Sequence, residues 1–491
     1  MTFMNSTLDN ILTKLHMIKE CIKLMLKAYS QIKKYECYFL SLVFTHHLIF
    51  QAMLFYLGIN FVVNPVRQAS LISLNICFSL ISFIIIGEKI MKRVYPMPIV
   101  VICAIFPIFM GFSLCYSLIK FDFNSLALFN SGAFFIFSLP GALWGLEIGA
   151  KSRWDDMFSF TEKIGFVLLP LAIIYFIKFL ISGIHFTERN IGAITYMAMA
   201  YGLLPFFLVS IINYISGKFI FADSKFLAKI KVGVYFRSLV IIIYWTDIVI
   251  SRCRGAVVSV FLFFGVLFLY MRYKHIDCKK ILNVILCCVS IFLVHLYYLH
   301  MQKQDSRFGF FADSLRRGKI VTAAEKPIVS ESLALMVNSE TNTPPAPVVE
   351  IKKLITNRGT LFKLAIFEVL DKPLTGLSPL GFTMKYGKGK YPHNAILEAL
   401  ADFGFIIGGL IVLLFIKSTV RLIIGLFKGS INLGYMIIFL IGMTFSTMIS
   451  GSLYTSIPIF FGVCFSLSID KSEIYNHIKR EDHASSICLY S

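Results

Sequence analysis

The chain has 491 residues, 57% of them apolar and 15% charged, with a mean hydropathy of +0.77 and a formal net charge of +20. A soluble domain carries roughly a quarter charged residues, so this composition excludes a string of soluble domains and points to one membrane bundle. The lysines and arginines stand in short clusters between apolar runs, the pattern of a membrane protein and not of a nucleic-acid binder.

In chain order, the first segment (1–37) places Ile11, Leu15, Ile18, Ile22 and Met25 at helical spacing among lysines. It is too charged for a signal-peptide core and reads as an amphipathic helix on the cytoplasmic face. A transmembrane bundle of nine spans (38–300) follows: Tyr38–Phe61, Ala69–Ile86, Met97–Ile119, Ser125–Gly149, Ile164–Ile184, Ile191–Ile215, Val232–Ile250, Ala256–Tyr273 and Ile281–His300. A large loop (301–402) separates it from three more spans (403–469), Phe403–Phe427, Leu433–Ser450 and Tyr454–Ile469, and a tail (470–491) closes the chain. The fold class is therefore an all-α polytopic membrane protein of about twelve transmembrane helices, with one large loop between spans 9 and 10.

Orientation follows from the short loops. With a cytoplasmic N-terminus, the inner loops hold fourteen lysines and arginines, Lys89, Lys163 and Lys280 among them, and the outer loops hold five: Arg67, Lys120, Arg189, Arg252 and Arg254. The positive-inside rule then puts both termini in the cytoplasm and the large loop outside. Of the eleven cysteines, Cys77, Cys103, Cys115, Cys287, Cys288 and Cys464 lie in apolar runs and read as small buried hydrophobes. No Cys/His spacing suggests zinc.

Within the large loop, residues 321–350 are rich in Ser, Thr, Ala, Glu and Pro and read as a flexible segment. Next come a helical stretch, ITNRGTLFKLAIFEVL, with Leu361, Leu364, Ala365 and Val369 in register, a turn signal, DKPLTGLSP, and a reach leading into a helix near Ala395. No internal repeat is visible, and the two halves share no matching broken helices, which weighs against a transporter.

Three side chains stand out on the expected outer face: Arg254 in SRCRGAVVS, Arg358 in TNRGTLFKLAIFEVL and His393 in YPHNAILEALADFGFIIGG. An RGA segment at a span boundary, a loop with R-x3-F-x-x-A-x4-L-D-K-P-L-x-G, and HN-x3-E-x-x-A-x-F-G-x3-G together resemble the O-antigen ligase and polymerase superfamily. The resemblance covers mainly 247–409, with HN through FGFIIGG its most specific part. It implies a multispan, lipid-sugar-dependent glycosyltransferase fold in the bacterial inner membrane, with an inverting transfer at the periplasmic face. The donor it implies is a glycan on undecaprenyl pyrophosphate, and the bilayer and a chain-length regulator protein are the further partners it allows.

The chemistry suits these residue types. Negative charge grows on the departing pyrophosphate, and guanidinium groups fork two donors onto phosphate oxygens, the role carried to Arg254 and Arg358. A neutral imidazole can take the proton of the acceptor hydroxyl, the role carried to His393. Arg252, Asn394 and Glu398 are the accompanying substrate-contact candidates.

Each has a plainer reading. Arg254 could set topology or anchor a lipid phosphate, Arg358 could brace its loop against Glu368 or Asp371, and His393 could cap a turn. Asn394 is placed as the N-cap of the next helix, and Glu398 as a capping or supporting residue one turn on. Among ionisable groups near span ends, Glu147 could pair locally and Asp247 could pair with Arg252, while Lys178 and Arg237 could reach to an interface. His46 and His47 are adjacent, face different sides of a helix and read as packing residues.

The first outer loop, VVNPVRQ, contains no carboxylate. No hard-oxygen cage for Mg²⁺ or Mn²⁺ is evident, so neither metal nor cofactor is expected, and arginines are left to neutralise the pyrophosphate. Two reactions fit: a polymerase, whose acceptor is a second lipid-linked repeat unit, and a ligase, whose acceptor is lipid A–core. The PHN form of the motif and the long variable loop favour the polymerase. A transporter of the same lipid-linked sugar is the reading from another class.

Overall fold

Apolar stretches of about twenty residues must satisfy their backbone groups internally in hydrocarbon, and the helix does so within one segment. The described residues follow that rule. The structure, a computed structural model, describes residues 36–59, 65–182, 194–217, 232–301, 358–387 and 390–469. The expected N-terminal amphipathic helix up to residue 35, the flexible loop segment, the tail, Arg189 and the bases from Lys218 to Lys231 lie outside the described residues.

The described chain is all-helical. Its elements are α1 (Glu36–Leu42), α2 (His46–Tyr56), α3 (Pro65–Met91), α4 (Met97–Lys120), α5 (Ser125–Ala133), α6 (Leu139–Lys151), α7 (Trp154–Ser182), α8 (Tyr196–Ile215), α9 (Val232–Ile250), α10 (Arg254–Tyr273) and α11 (Lys279–Met301). After residues 302–357, which lie outside the described residues, come α12 (Arg358–Asp371), α13 (Gly381–Tyr386), α14 (Ala395–Phe403), α15 (Gly409–Lys428), α16 (Ile431–Ser450) and α17 (Ile457–Ser468); α12, α13 and most of α14 fall within the stretch read from the sequence as one large loop. Eight helical stretches among the described residues are long and apolar enough to cross a membrane. The protein is a multi-pass membrane protein.

The described residues of the predicted spans are largely helical, but the boundaries differ in instructive ways. The first span is two short helices, because Thr45 turns the chain, its N–H bonding to Leu42 O and its hydroxyl to Ser41 O. The fifth begins ten residues early, at Trp154, so Lys163 lies on a helix and not in a loop. The last begins at Ile457, behind a 3₁₀ turn at Leu453–Thr455. Two predicted continuous spans contain π-helical turns, Phe134–Ser138 between α5 and α6 and Gly404–Gly408 between α14 and α15. Extra residues of this kind recur at functional sites because they re-aim side chains without ending the helix.

The buried centre of the bundle is α17, packed most closely on α6. The sequence LPGALWGLEIGAK puts Gly141, Gly145 and Gly149 four residues apart on one face, and a Cβ at Gly145 would stand 2.4 Å from Phe461 O. Small residues at this spacing let two membrane helices meet backbone to backbone, where dispersion supplies the attraction that water would not. Cys103 and Cys464 are buried in the same centre, whereas Cys77, Cys115 and Cys287 stand on the bundle exterior and correct the expectation that all six are buried.

Contacts sort the helix ends into two groups. At one end Glu147, buried between α3 and α7, accepts from Lys89 (2.7 Å), Arg153 (3.2 Å) and the Tyr95 hydroxyl, and Lys89 and Arg153 also meet Glu36 at 2.6 Å. Lys274 reaches Gly429 O at 3.4 Å, Asn432 meets Asp155 at 3.1 Å, and Arg421 meets Ile469 O at 2.5 Å. Lys151, Arg272, Lys279 and Lys428 belong to this basic end by their helix termini. The opposite end holds the last turn of α4, the first turns of α10 and α14, and the 453–455 turn.

Buried polar pairs decide several side chains that the sequence left open. Arg237 does not reach an interface. It is buried and forks onto Glu162, Nε to Oε1 at 2.6 Å and Nη2 to Oε2 at 3.0 Å, with Asn213 donating to the same carboxylate at 2.8 Å. Asp247 is fully buried and accepts no hydrogen bond among the described residues, so the pairing with Arg252 is not formed. His46 stacks on Phe78, and His47 meets Gln51, as packing residues do.

Candidate functional site

The segment YPHN sets the site because its backbone must stop one conformation and start another. Asn394 is the N-cap of α14: its side-chain oxygen accepts from the N–H groups of Ile396 and Leu397, both at 3.0 Å. Such a cap is worth about 1 kcal/mol. Immediately before it, His393 is held at φ +53°, in the left-handed region, as are eight other non-glycine residues among those described; histidine enters this region more readily than most side chains. Its ring lies half-buried against Tyr391, centroids 4.1 Å apart and tilted by 49°. A strained residue persists when its surroundings over-determine it, and such residues cluster at functional sites.

The surroundings here are unusually well tied. Glu398, one turn into α14, is buried, and its oxygens accept from Ser452 Oγ at 2.8 Å and from Leu453 N–H at 2.6 Å. One turn further, buried Asp402 accepts from Phe382 N–H at 2.9 Å and from the Tyr454 hydroxyl at 2.6 Å. Tyr454 in turn accepts from Leu380 N–H at 3.0 Å, and its carbonyl takes the Ser138 hydroxyl at 2.8 Å, beside the first π turn. Burial first, and then the neighbouring Asp402 and Glu398 carboxyls, push the Tyr454 phenol well up.

The turn DKPLTGLSP is thereby clamped onto α14. Leu377 and Ser378 donate to Ala401 O and Asp402 O, each at 2.9 Å, and Phe405 N–H reaches Pro373 O. Gly404 sits at φ +67° with a would-be Cβ only 2.4 Å from Leu374 O, so only glycine fits there. Ser117 on α4 donates to Pro379 O at 2.6 Å and completes the attachment.

A second, smaller core holds α12 on α14, through Leu361, Ala365, Val369, Phe382 and Ala401. Arg358 is the first residue of α12. Glu368 and Asp371, its expected rivals, stand ten and thirteen residues further along the same helix. Buried Glu368 instead accepts from Lys385 at 2.7 Å and from the Tyr386 hydroxyl, and burial followed by Glu368 raises that phenol.

Arg254 opens α10 and is exposed, while Arg252, at φ +56° in the turn before it, lies within electrostatic range of His295. Because the far end of α10 meets the far end of α15 through Lys274, the first turns of α10 and α14 share one end of the bundle. The site residues thus fall into two groups at that end. His393 and Asn394 lead into α14, which carries Glu398 and has α12 packed beside it. Arg252 lies in the turn before α10 and Arg254 opens that helix, whose chief contacts are α16 and α8.

Asp402, Tyr454 and Ser452 were not singled out from the sequence. One signal was available: Glu398 and Asp402 are four residues apart, two carboxylates on one face of an otherwise apolar helix. Removing Asp402 leaves Tyr454 OH and Phe382 N–H without an acceptor, at about 1–3 kcal/mol for each stranded donor. Asp402→Ala is accordingly expected to lower the unfolding temperature of detergent-purified protein and expose the 373–382 turn to protease. Asp402→Asn, which keeps one acceptor, should lose clearly less. Equal stability of all three proteins would show that the knot does not hold the turn.

No family model, curated protein or solved structure matches the chain. Its site is defined by its own residues.

Proposed function

We propose that the protein is an O-antigen polymerase. It transfers a glycan from undecaprenyl pyrophosphate to a sugar hydroxyl of a second lipid-linked repeat unit, by metal-independent inverting transfer at the periplasmic face of the bacterial inner membrane. The observation that carries the reading is His393, held in the left-handed region in front of a helix whose next two turns are pinned by Glu398 and Asp402. Positioning a base within reach of an acceptor hydroxyl requires such a fixed backbone, because general-base catalysis depends first on geometry. His393 takes the acceptor proton. Arg358, which opens α12, and Arg254, which opens α10 with Arg252 in the turn before it, neutralise the departing pyrophosphate. The resemblance of the three motifs to the ligase and polymerase superfamily supports the same assignment.

The basic end formed by Lys89, Lys151, Arg153, Arg272 and Lys274 supports a cytoplasmic placement of that end, and hence a periplasmic site. A reporter enzyme fused within 323–347 is expected to be active only when it works outside the cytoplasm, and fusions near Lys279 only inside. A cytoplasmic signal from the large loop reverses the orientation and removes the site from its substrate.

A deletion strain tests the polymerase reading itself. Its lipopolysaccharide should carry at most one repeat unit on lipid A–core. Bare core, with long chains accumulating on undecaprenyl pyrophosphate, would instead identify a ligase.

A further inference from the structure

A cleft of about 510 Å³ opens between the last turns of α4, the clamped 375–379 turn and the start of the second π turn. Its size falls in the range of small-ligand sites, roughly 300–1,000 Å³. Phe109 and Phe403, centroids 5.7 Å apart, close one wall, and Phe112, Tyr116 and Ile407 extend from it along the bundle exterior. In a membrane bundle those exposed apolar side chains face lipid. At the mouth stand Lys120, exposed in the last turn of α4, and the 375–379 turn with its Thr375 and Ser378. The cleft's other charged lining residue, Asp402, is already engaged by Phe382 N–H and Tyr454 OH, which leaves Lys120 as the charge available to a ligand. The shape is therefore that of an amphiphile: an apolar trough running along the membrane with a cation and hydroxyl donors at its interfacial end.

We infer that this cleft binds the phosphate-bearing end and first isoprene units of a polyprenyl-phosphate lipid, and that it receives the carrier of the acceptor repeat unit. The apolar trough and Lys120 carry a phosphate-bearing lipid, and both its polyprenyl identity and its acceptor role rest on the polymerase reading, in which donor and acceptor hang from such a lipid. Of the arginines assigned to the donor pyrophosphate, Arg254 opens α10, which packs on α16 and α8, and Arg358 opens α12, which packs on α14. The cleft lies on α4, which packs on α5, α6 and α17, and α16 itself packs on α17. Lys120 on α4 thus stands on a different element from the arginines assigned to the donor, and gives the second lipid a phosphate ligand of its own. The turn side of the cleft is anchored by Ser117 to Pro379 O and by the Leu377 and Ser378 bonds to α14.

The test uses the full-length protein in phosphatidylcholine nanodiscs with two diazirine probes, one on undecaprenyl phosphate and one on phosphatidylglycerol. The undecaprenyl phosphate probe is expected to label peptides spanning 105–120 and 373–380, with competition from unlabelled undecaprenyl phosphate and little from phosphatidylglycerol. Lys120→Ala, an exposed substitution that leaves packing intact, should cut that labelling about fivefold, as loss of one interfacial lysine–lipid contact predicts. Ile407→Trp, which fills the trough from its lipid side, should cut it by a similar factor. Labelling absent from these peptides, equal with both probes, or unchanged in both variants overturns the site. His393→Ala should label as the parent does. A protein that labels in the cleft but transfers no glycan sinks the polymerase reading and leaves the lipid site standing, whereas transfer without labelling does the reverse.

Discussion

His393→Ala is expected to lower turnover by ~10²–10⁴, the usual cost of removing a general base, or about 3–5 kcal/mol at the transition state. The protein should still insert and fold, because the side chain is half-buried at a helix entry and the Asn394 cap and the Glu398 and Asp402 ties remain. Relief of the left-handed strain does not come with it, since alanine at φ +53° carries the same backbone penalty. Donor binding should persist, because the pyrophosphate contacts belong to the arginines. Arg358→Lys keeps charge without the planar fork and should be partly active, and Arg358→Ala close to inactive. The measurement is turnover and donor binding on matched amounts of detergent-purified protein. If His393→Ala turns over within about threefold of the parent, far short of general-base loss, His393 is a structural loop residue and the mechanism is wrong.

The largest effect on stability is expected at Arg237. Its guanidinium is buried among α7, α8 and α9 and forked onto Glu162, with Asn213 donating to the same carboxylate. Removing one partner of a buried pair strands the other charge, at about 3–5 kcal/mol. Arg237→Ala and Glu162→Ala should each lower the melting temperature followed by fluorescence-detected size exclusion. The double substitution Arg237→Leu with Glu162→Leu strands nothing and should recover most of the loss. Turnover per folded molecule should stay at the parent value in all three, because the pair lies toward the basic end and His393 at the other. A double variant no better than the singles would mean that the hydrogen-bonded geometry itself, and not an uncompensated charge, sets the cost.

Much of the architecture was readable before any coordinates. Twelve apolar runs, their lengths and the clustering of bases between them locate the helices, because the bilayer rewards the same property in every span. The helix at Arg358–Asp371 was visible in the spacing of Leu361, Leu364, Ala365 and Val369, and the cap at Asn394 in the residue type itself. Thr45, by contrast, splits a run that hydropathy reads as continuous, since a single turn changes no average over a span-length window.

What the sequence by itself determined is the solvent: a chain this apolar, with charges this clustered, belongs in a membrane as helices, and those conclusions need only composition and periodicity. The YPHN segment and its place before a helix were likewise local. Only the tertiary structure decided what holds that segment still. Asp402 meets Tyr454 across 52 positions, Ser117 meets Pro379 across 262, and Glu162 meets Arg237 across 75. Such pairings depend on which helix lies beside which, and hydropathy is silent there because every face toward lipid and every face toward protein is equally apolar. In hydrocarbon the choice of neighbour is made by close backbone approach, as at Gly145, and by the need of each buried polar group for a partner.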